Sequence, residues 1–300
     1  MDAEHRQSLA QIADIARRHS EPGVQDTLVP RLRLFRADEP SVPTPNVYDP
    51  MYCLVVAGSK RGYLGGETVE YRTGDSLLVT VDLPVVGQIL EAAPERPYLA
   101  MSLMLDRPTL AAVLLECEAA ARGGDERCGF RVGRASLDVV DAALRLVRLL
   151  DRPEDIAVLA PLIERELLYR LLTSPAGVAL REIARGDSRV AQVTRAVTWL
   201  RDHHASEYNA NELAQRAHMS VSSLNRHFRA MTGMSPLEFQ KHVRLLEARR
   251  LLLVSATDVG GVGRAVGYGS VSQFSREYRR LFGEPPGRDA QQLRRSLPAD

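Results

Sequence analysis

The chain has 300 residues, of which 45% are hydrophobic and 26% are charged, and its formal net charge is +1. This length predicts about two domains, and the composition is typical of a globular protein and excludes a disordered or fibrous chain. The chain contains no apolar run of about 18 residues, so the sequence predicts no transmembrane helix and no membrane partner.

The cysteines and the N-terminus bear on location. Cys53, Cys117 and Cys128 are scattered and form no CxxC pair. This pattern favours a reducing compartment and argues against a disulfide framework or a zinc site. The N-terminus is acidic and amphipathic and lacks the apolar core of a signal peptide. We therefore expect a cytoplasmic protein.

The charge is unevenly distributed along the chain. From Arg189 to Asp300, 17 Lys and Arg face 10 Asp and Glu, which gives a net charge of +7. The preceding 188 residues carry 22 basic and 28 acidic side chains, which gives −6. A basic C-terminal third attached to an acidic body indicates a polyanion-binding module, although such a surface is often only solvated.

The first half of the chain predicts one helix followed by strands. Residues 1–20 have apolar side chains at helical spacing. Residues 21–50 contain six prolines, which excludes a helix and indicates a segment that wraps a surface. Short β-type runs follow, and the Gly65-Gly66 pair between two of them indicates a hairpin. Several short strands within about 60 residues predict a small barrel or sandwich.

Helical periodicity begins at Asp106. The runs "RPTLAAVLLECEAAAR", "SLDVVDAALRLVRLL" and "PLIERELLYRLLTS" each carry an apolar stripe. Pro108 and Pro161 fall near the predicted helix starts, where proline is tolerated. The third stripe either packs on its own barrel or forms a subunit interface. We expect these helices to hold a homodimer.

The C-terminal third contains the same short element twice. Residues 220–236 read "SVSSLNRHFRAMTGMSP" and residues 270–286 read "SVSQFSREYRRLFGEPP", with seven of 17 positions identical. On a helix, Leu224 and Phe228 share one face, and the serine and arginine side chains lie opposite them. The second copy places Phe274 and Tyr278 in the same way.

A short helix precedes each copy, which predicts two helix-turn-helix units. Asn209 and Glu212 form a capping-box pattern at the start of the first unit. Between the units, about 19 helical residues would span about 28 Å, close to the ~34 Å turn of B-DNA. One polypeptide can then place two helices in successive major grooves. The alternative is that these helices only pack against each other and do not contact DNA. The presence of two matching copies in a basic region disfavours this alternative.

These motifs closely resemble the DNA-binding domain of the AraC/XylS family of transcription regulators, over about residues 190–290. The segment from "FRADEPSV" to "YLAMSL" also resembles the AraC-type N-terminal domain, a cupin-like barrel. The resemblance implies an α+β protein: an N-terminal cupin-like β-barrel with flanking helices, and an all-α C-terminal domain of two helix-turn-helix subdomains joined by a long helix. It also implies double-stranded DNA and RNA polymerase as partners.

The expected boundaries follow from this organisation. Residues 1–185 form the effector-sensing and dimerisation domain, and residues 189–300 form the DNA-binding domain. The first helix-turn-helix covers about residues 209–230, the linker helix about 236–254 and the second helix-turn-helix about 258–281. The chain departs from the family at Gly260, Gly261 and Gly263. Each glycine costs about 1 kcal/mol in a helix interior, so the second unit is marginally folded without DNA unless packing offsets the cost.

The front faces of the repeated helices supply the candidate DNA contacts. Ser, Asn, Gln and Arg side chains hydrogen-bond base edges in the major groove. The predicted base-reading residues are Ser222, Ser223, Asn225, Arg226, Ser272, Gln273, Ser275 and Arg276. The predicted phosphate contacts are Ser220, Arg229, Ser270 and Arg279.

A small-molecule effector of the barrel would meet an apolar pocket with few polar groups. The expected lining residues, on inward positions of the strands, are Cys53, Val55, Val79, Met101 and Leu103. Cys53 is either a reactive thiol or a small buried hydrophobe. Lys60, one of two lysines, either meets an anionic effector or is a turn charge.

Other functions were weighed against a regulator. A metal-dependent cupin enzyme needs histidines on the barrel strands, and no histidine occurs between His19 and His203. A DNA-repair protein with the same DNA-binding module would need a cysteine-rich zinc site. A metal-independent cupin-type enzyme and an architectural DNA binder stay open. The sequence predicts no enzymatic activity, no catalytic residues, no metal and no cofactor.

Overall fold

A computed structural model of the chain describes residues 3–64, 67–117, 129–174, 177–184, 188–254 and 258–296. Strands dominate the N-terminal half and helices the C-terminal part, which confirms the predicted α+β class. In these ranges, no helix is both long enough and apolar enough to cross a membrane.

Two groups of elements build the fold. The described strands are β1 (Gly23–Asp26), β2 (Leu32–Ala37), β3 (Thr44–Tyr48), β4 (Met51–Ala57), β5 (Ser59–Leu64), β6 (Glu67–Arg72), β7 (Asp75–Val79), β8 (Leu83–Glu91), β9 (Tyr98–Met104) and β10 (Phe130–Arg134). The described α-helices are α1 (Ala3–Arg18), α2 (Arg107–Glu116), α3 (Leu137–Arg148), α4 (Ile156–Thr173), α5 (Gly177–Ala184), α6 (Arg189–Asp202), α7 (Ala210–Arg216), α8 (Val221–Thr232), α9 (Pro236–Val254), α10 (Val259–Ala265), α11 (Val271–Phe282) and α12 (Pro286–Ser296).

The strands form two antiparallel sheets. One has the order β1-β2-β9-β4-β7-β10 and the other the order β3-β8-β5-β6. The predicted hairpin is confirmed by the register of β5 and β6, in which Leu64 pairs with Glu67; the two glycines themselves lie outside the described residues. Gly58 turns the chain from one sheet to the other with a φ of +76°, and a Cβ there would lie 2.5 Å from the Glu91 carbonyl oxygen.

Three features differ from the sequence-based expectation. The proline-rich segment contributes β1, β2 and β3, and Pro45 is tolerated because β3 is an edge strand. The short strand β10 was not predicted, since none of its residues is fully buried. Helix α4 begins five residues before Pro161, so this proline lies inside the helix and not at its start.

The apolar core crosses the expected domain boundary. One cluster of buried side chains runs from the barrel through Leu180 of α5 and Val197 of α6 to Phe228 of α8. A second cluster, around Phe274 and Tyr278, belongs to the C-terminal end of α9 and to α10–α12. The first helix-turn-helix unit therefore shares its core with the barrel, and the second has a core of its own.

Backbone packing also joins the barrel to the first helix-turn-helix unit. Gly129, which precedes β10, lies against the Met231 carbonyl near the end of α8, where a Cβ would come within 1.8 Å of the oxygen. Helices α9 and α11 also lie beside β3, the edge strand. The barrel thus touches both halves of the C-terminal region.

An ion pair with a buried carboxylate joins the barrel to α6. Arg201 donates one Nη1 hydrogen bond to Asp82 Oδ1 at 2.5 Å and another to Asp49 Oδ1 at 2.8 Å. The Asp82 side chain is 9% exposed and that of Arg201 is 44% exposed. Burial raises the pKa of Asp82 above its ordinary value, although the nearby Arg201 opposes the shift. The ionised carboxylate therefore depends on Arg201.

Removing the two partners of this ion pair should have unequal effects. Arg201→Ala should lower the free energy of unfolding by about 1–3 kcal/mol, because it leaves a buried carboxylate without its cation. Asp82→Asn should cost less than about 1 kcal/mol, because the amide oxygen still accepts a hydrogen bond and carries no charge.

Urea unfolding of the two variants at pH 7 checks this order. The pKa of Asp82 is higher in the folded than in the unfolded protein, so protonation of this carboxyl favours the folded state. As the pH rises through the folded pKa, the ionised carboxylate lowers the free energy of unfolding by an increasing amount. The Arg201→Ala protein should therefore regain stability between pH 7 and pH 5 relative to the wild type. If both variants lost the same free energy of unfolding at pH 7, the conclusion that Asp82 depends on Arg201 to remain ionised would be wrong.

Candidate nucleic-acid interface and barrel cavity

The first helix-turn-helix unit consists of α7, a short turn and α8. The Asn209 side chain accepts hydrogen bonds from the backbone N–H groups of Asn211 and Glu212, which caps α7 as predicted. Glu212 completes no capping box and instead binds Arg216 at 2.8 Å. His218 turns the chain with a φ of +53°, a conformation that favours glycine or asparagine.

Helix α8 has an apolar back and a polar front. Ser220 caps it by accepting a hydrogen bond from the Ser223 N–H at 3.3 Å. Leu224 and Phe228 are buried behind it. On the front, the predicted base readers Ser222, Asn225 and Arg226 are exposed, and Ser223 is half-buried.

Helix α11 repeats this arrangement in the second unit. Ser270 caps the helix through the Gln273 N–H at 3.4 Å. Phe274 and Tyr278 are buried behind it, and the Tyr278 hydroxyl donates to Asp289 at 2.7 Å. The exposed front residues are Ser272, Gln273 and Arg276, and Ser275 is half-buried.

The arginines of the two helices differ in their partners. Arg226 lies 3.1 Å from His227 Nε2, and Arg229 lies 3.4 Å from Glu238. Within the described residues, the side chains of Arg276 and Arg279 form neither a hydrogen bond nor an ion pair. The second helix therefore presents unpaired guanidinium groups to solvent.

The two units are fixed to each other around the loop that follows α6. Gln240 and Arg244 of α9 donate side-chain hydrogen bonds to the carbonyls of His204 and Ser206. Gly267 has a φ of +90°, and a Cβ there would lie 2.3 Å from the Ala205 carbonyl oxygen. A turn of the second unit thus rests directly on the backbone of the loop that leads from α6 into the first unit.

The glycines of α10 serve close packing. A Cβ on Gly263 would lie 3.0 Å from Cδ1 of Phe274, at the crossing of α10 and α11. A Cβ on Gly260 would lie 3.0 Å from the Asp258 carboxylate, which caps the helix through the Gly261 N–H. Of the two possibilities that the sequence left open, marginal folding or compensation by packing, packing applies at Gly263, because its missing side chain makes room for the aromatic ring.

A small groove beside the cap of α8 was not predicted from the sequence. It is lined by Arg189 and Gln192 of α6 together with His218, Ser220 and Ser223. These α6 residues lie about 30 positions before the cap of α8 and outside the helix-turn-helix motif, and no local pattern marks them. Their position next to a helix N-terminus suits a phosphate group.

A cavity of about 490 Å³ lies between the two sheets of the barrel. Residues from β2, β3, β4, β5, β6, β7, β8 and β9 form its walls. Its volume is in the range of small-molecule sites. Three charged side chains, Arg33, Asp49 and Lys60, lie in its wall, and Asp49 is also a partner of Arg201.

The structure brings one of the predicted effector contacts into this lining, Cys53. The others are buried outside it: Val55, Val79, Met101 and Leu103. Along β9, Ala100 and Ser102 face the cavity, whereas the alternate residues face the side on which α1 packs. Because both faces of β9 are buried, alternation in the sequence cannot show which face lines the cavity.

Cys53 itself is a buried thiol. Its side chain lies in β4 and is 7% exposed. Burial raises the pKa of this thiol, and a hydrogen bond with Ser102 only partly opposes the shift. A thiol that stays protonated at neutral pH is a poor nucleophile, so the structure favours the buried hydrophobe over the reactive sensor. Among the described residues, no group of three His, Cys, Asp or Glu side chains could hold a metal ion.

Comparisons with known proteins match both halves of the chain. The family model described as "AraC-type transcriptional regulator N-terminus" matches residues 28–179, and the model "Helix-turn-helix domain" matches residues 213–292. The HTH-type transcriptional activator RhaS of Salmonella agona is 32% identical over 164 residues, 52% of this chain and 58% of RhaS. RhaS of Escherichia fergusonii is 29% identical over 169 residues, 54% of this chain and 58% of RhaS.

Each match thus spans little more than half of the relative's length. Among solved structures, ToxT of Vibrio cholerae bound to (E)-4-(8-methylnaphthalen-1-yl)but-3-enoic acid superposes with a TM-score of 0.58. It is 10% identical and covers 87% of this chain and 98% of ToxT. At this identity the likeness concerns the fold alone.

The packing of Gly263 against Phe274 can be tested by adding one methyl group. Gly263→Ala should lower the free energy of unfolding by about 1 kcal/mol, because the Cβ would lie 3.0 Å from a fully buried ring, and the cost of overpacking, about 1–3 kcal/mol, exceeds the gain of about 1 kcal/mol in helix propensity. As a matched control, Gly287→Ala in α12 should raise stability by up to about 1 kcal/mol, since a Cβ there meets nothing closer than 3.7 Å. Both values come from chemical denaturation, and a gain for Gly263→Ala would show that the ring moves without cost.

Proposed function

The chain belongs to the AraC-type transcriptional regulators and carries a helix-turn-helix DNA-binding domain; we propose that it binds a specific DNA sequence through α8 and α11 and thereby controls transcription. One observation carries this proposal. Two capped helices, each with an aromatic side chain buried behind it, expose serine and arginine side chains at equivalent positions.

The front residues divide into two groups by their position. Arg226 and Arg276 lie in the middle of each front face, and a guanidinium fits the O6/N7 edge of guanine. Arg229 and Arg279 lie one turn further along and meet phosphate. The remaining base readers are Ser222, Ser223, Asn225, Ser272, Gln273 and Ser275, and the capping residues Ser220 and Ser270 bind phosphate through the helix N-termini.

The geometry between the helices sets the expected operator. Helix α9 has 19 residues, about 28 Å of helix, and the contacts at Ala205 hold both units against it. We expect one guanine in each half-site and half-site centres about 10–11 base pairs apart. Since the residues that flank these arginines differ between α8 and α11, we expect the two half-sites to differ, so the site for one subunit is not a palindrome.

The barrel cavity is the proposed site of a small-molecule effector. Its volume of about 490 Å³ and its mostly apolar wall support this role, and a protein of the same fold, ToxT, has been solved with a small organic molecule bound. The matched families and relatives are regulators of transcription, so the enzymatic alternatives are not favoured. The RhaS relatives are named activators, which supports contact with RNA polymerase.

A homodimer is the proposed assembly, held by an apolar stripe on α4. Val158, Leu162 and Tyr169 lie on one face of this helix and are 68%, 60% and 45% exposed. Leu115 of the neighbouring α2 is 88% exposed. The opposite face of α4, with Leu167 and other leucines, is buried in the domain. A second copy of the chain would cover this exposed stripe.

Arginine substitutions can separate base reading from phosphate contact. Arg226→Ala and Arg276→Ala should each relax the preference for one guanine, at a cost of about 1–3 kcal/mol on the selected sequence. Arg229→Ala and Arg279→Ala should weaken binding to all sequences alike and reduce the salt slope by about 1. Arg152→Ala, which removes an exposed charge from the N-terminal region, serves as the control.

The measurement is selection from a randomised DNA pool, followed by affinity titration at several salt concentrations. The division into base-reading and phosphate-binding arginines would be contradicted if both classes of substitution lowered the affinity for selected and random DNA by the same factor. Failure of the wild-type protein to enrich any sequence would contradict the proposed function itself.

A charge on the α4 stripe should disrupt the dimer. Leu162→Glu is expected to convert a dimer into a monomer at about 50 µM, well above the µM range of a weak specific contact. Leu237→Glu changes a comparably exposed leucine on α9, 42% exposed, and should leave the mass unchanged. Light scattering on the full chain gives the mass, and a wild-type monomer at this concentration would refute the assembly.

A further inference from the structure

Lys60 lies in the wall of the barrel cavity and not in a turn. It belongs to β5, where it pairs with Tyr71 of β6 and Ile89 of β8. Its ammonium group lies 5.0 Å from the centre of the Phe35 ring and 5.2 Å from that of Tyr48. Such cation–π contacts attract an ammonium group and hold it in place. The sequence left open whether this lysine is only a turn charge, and the structure argues against that.

The neighbouring strand β8 leaves space for this side chain. Gly87 of β8 also lines the cavity, and a Cβ there would lie 2.9 Å from Lys60 Cε and 3.4 Å from its Nζ. A larger residue at this position would push the lysine aside. The ammonium group is therefore positioned by two aromatic rings on one side and by a missing side chain on the other.

The other charges of the cavity wall are already neutralised. Arg33 binds Asp26 at 2.7 Å and Asp49 at 3.4 Å, and Asp49 also binds Arg201. Lys60 differs from them: among the described residues, no carboxylate lies within 4 Å of its ammonium nitrogen. A partly buried cation without an anion is unfavourable, so the cavity lacks one negative charge.

The remaining residues of the cavity wall indicate what kind of molecule would carry this negative charge. Burial raises the pKa of Tyr71 and Tyr98, so these phenols remain neutral hydrogen-bonding groups at pH 7. Leu34, Leu77 and Met104 add apolar surface. A wall of this kind suits a compact hydrophobic body, and rings are accommodated by the aromatic side chains.

From this arrangement we infer that the cavity binds a small organic anion, a carboxylate on an apolar or aromatic body, and that Lys60 is the residue that selects it. The inference rests on the proposed role of the cavity as an effector site and adds the chemical class of the effector. The carboxylate lies against the Lys60 ammonium group, and the body fills the space between the sheets. A neutral analogue of the same shape would leave the cation unpaired.

Three probes with one body and different head groups test this inference. They are 4-phenylbutyrate, 4-phenylbutan-1-ol and 4-phenylbutylamine, which are anionic, neutral and cationic at pH 7. Each is titrated into the full-length protein, and affinity is taken from the rise in melting temperature. We expect the acid to bind about 10- to 100-fold more tightly than the alcohol, as for a hydrogen bond to a charged group, and the amine to bind most weakly.

Variants show whether the preference comes from Lys60. Lys60→Met, of similar length but uncharged, should bring the affinity of the acid down to that of the alcohol and leave the alcohol unchanged. Lys60→Arg should keep the preference. The matched control is Lys241→Met, which removes the other lysine of the chain from α9 and should bind all three probes as the wild type does.

The outcomes separate this inference from the proposed function. If the alcohol binds the wild type as tightly as the acid, or if Lys60→Met keeps the preference, the assignment of an anion is wrong and the cavity remains an effector site. If none of the three probes shifts the melting temperature at millimolar concentration, a cavity of this size does not accept such ligands, and both the anion and the effector site are refuted.

Discussion

The structure depends on one constraint, which is that, among the described residues, the apolar core of the first helix-turn-helix unit is continuous with that of the barrel. Its buried side chains continue those of the barrel through α5 and α6. Burial of apolar surface is the dominant favourable term in folding, so this unit and the barrel stabilise each other. The second unit, with a separate core, depends on the first through α9 and the loop around Ala205.

The same constraint brings the cavity close to the DNA-binding region. Asp49 lies in the cavity wall and accepts a hydrogen bond from Arg201 of α6. Strand β3, which also lines the cavity, lies beside α9 and α11. A molecule in the cavity would therefore lie against residues that contact α6, α9 and α11, the last of which is proposed to read DNA. Coupling between two sites needs contacts of this kind, with different energies in different states.

Local patterns in the sequence predicted local structure well. The caps at Ser220 and Ser270 and the buried positions of Phe228 and Phe274 follow from spacing alone, because each involves residues within one or two helical turns. Long-range pairings could not be predicted. The partners Arg201 and Asp82 are separated by 119 positions. The faces of β9 could not be assigned either, since helices cover one side and the cavity occupies the other.

The contact between Gly267 and the Ala205 backbone has a consequence for how binding sites evolve. A backbone-to-backbone contact cannot lengthen as a flexible linker does, so the distance between α8 and α11, the proposed reading helices, is nearly fixed. One inserted or deleted base pair between half-sites rotates them by about a tenth of a helical turn, which the protein cannot follow. Promoters that use such a regulator would diverge through base substitutions, and insertions between the half-sites would be removed by selection.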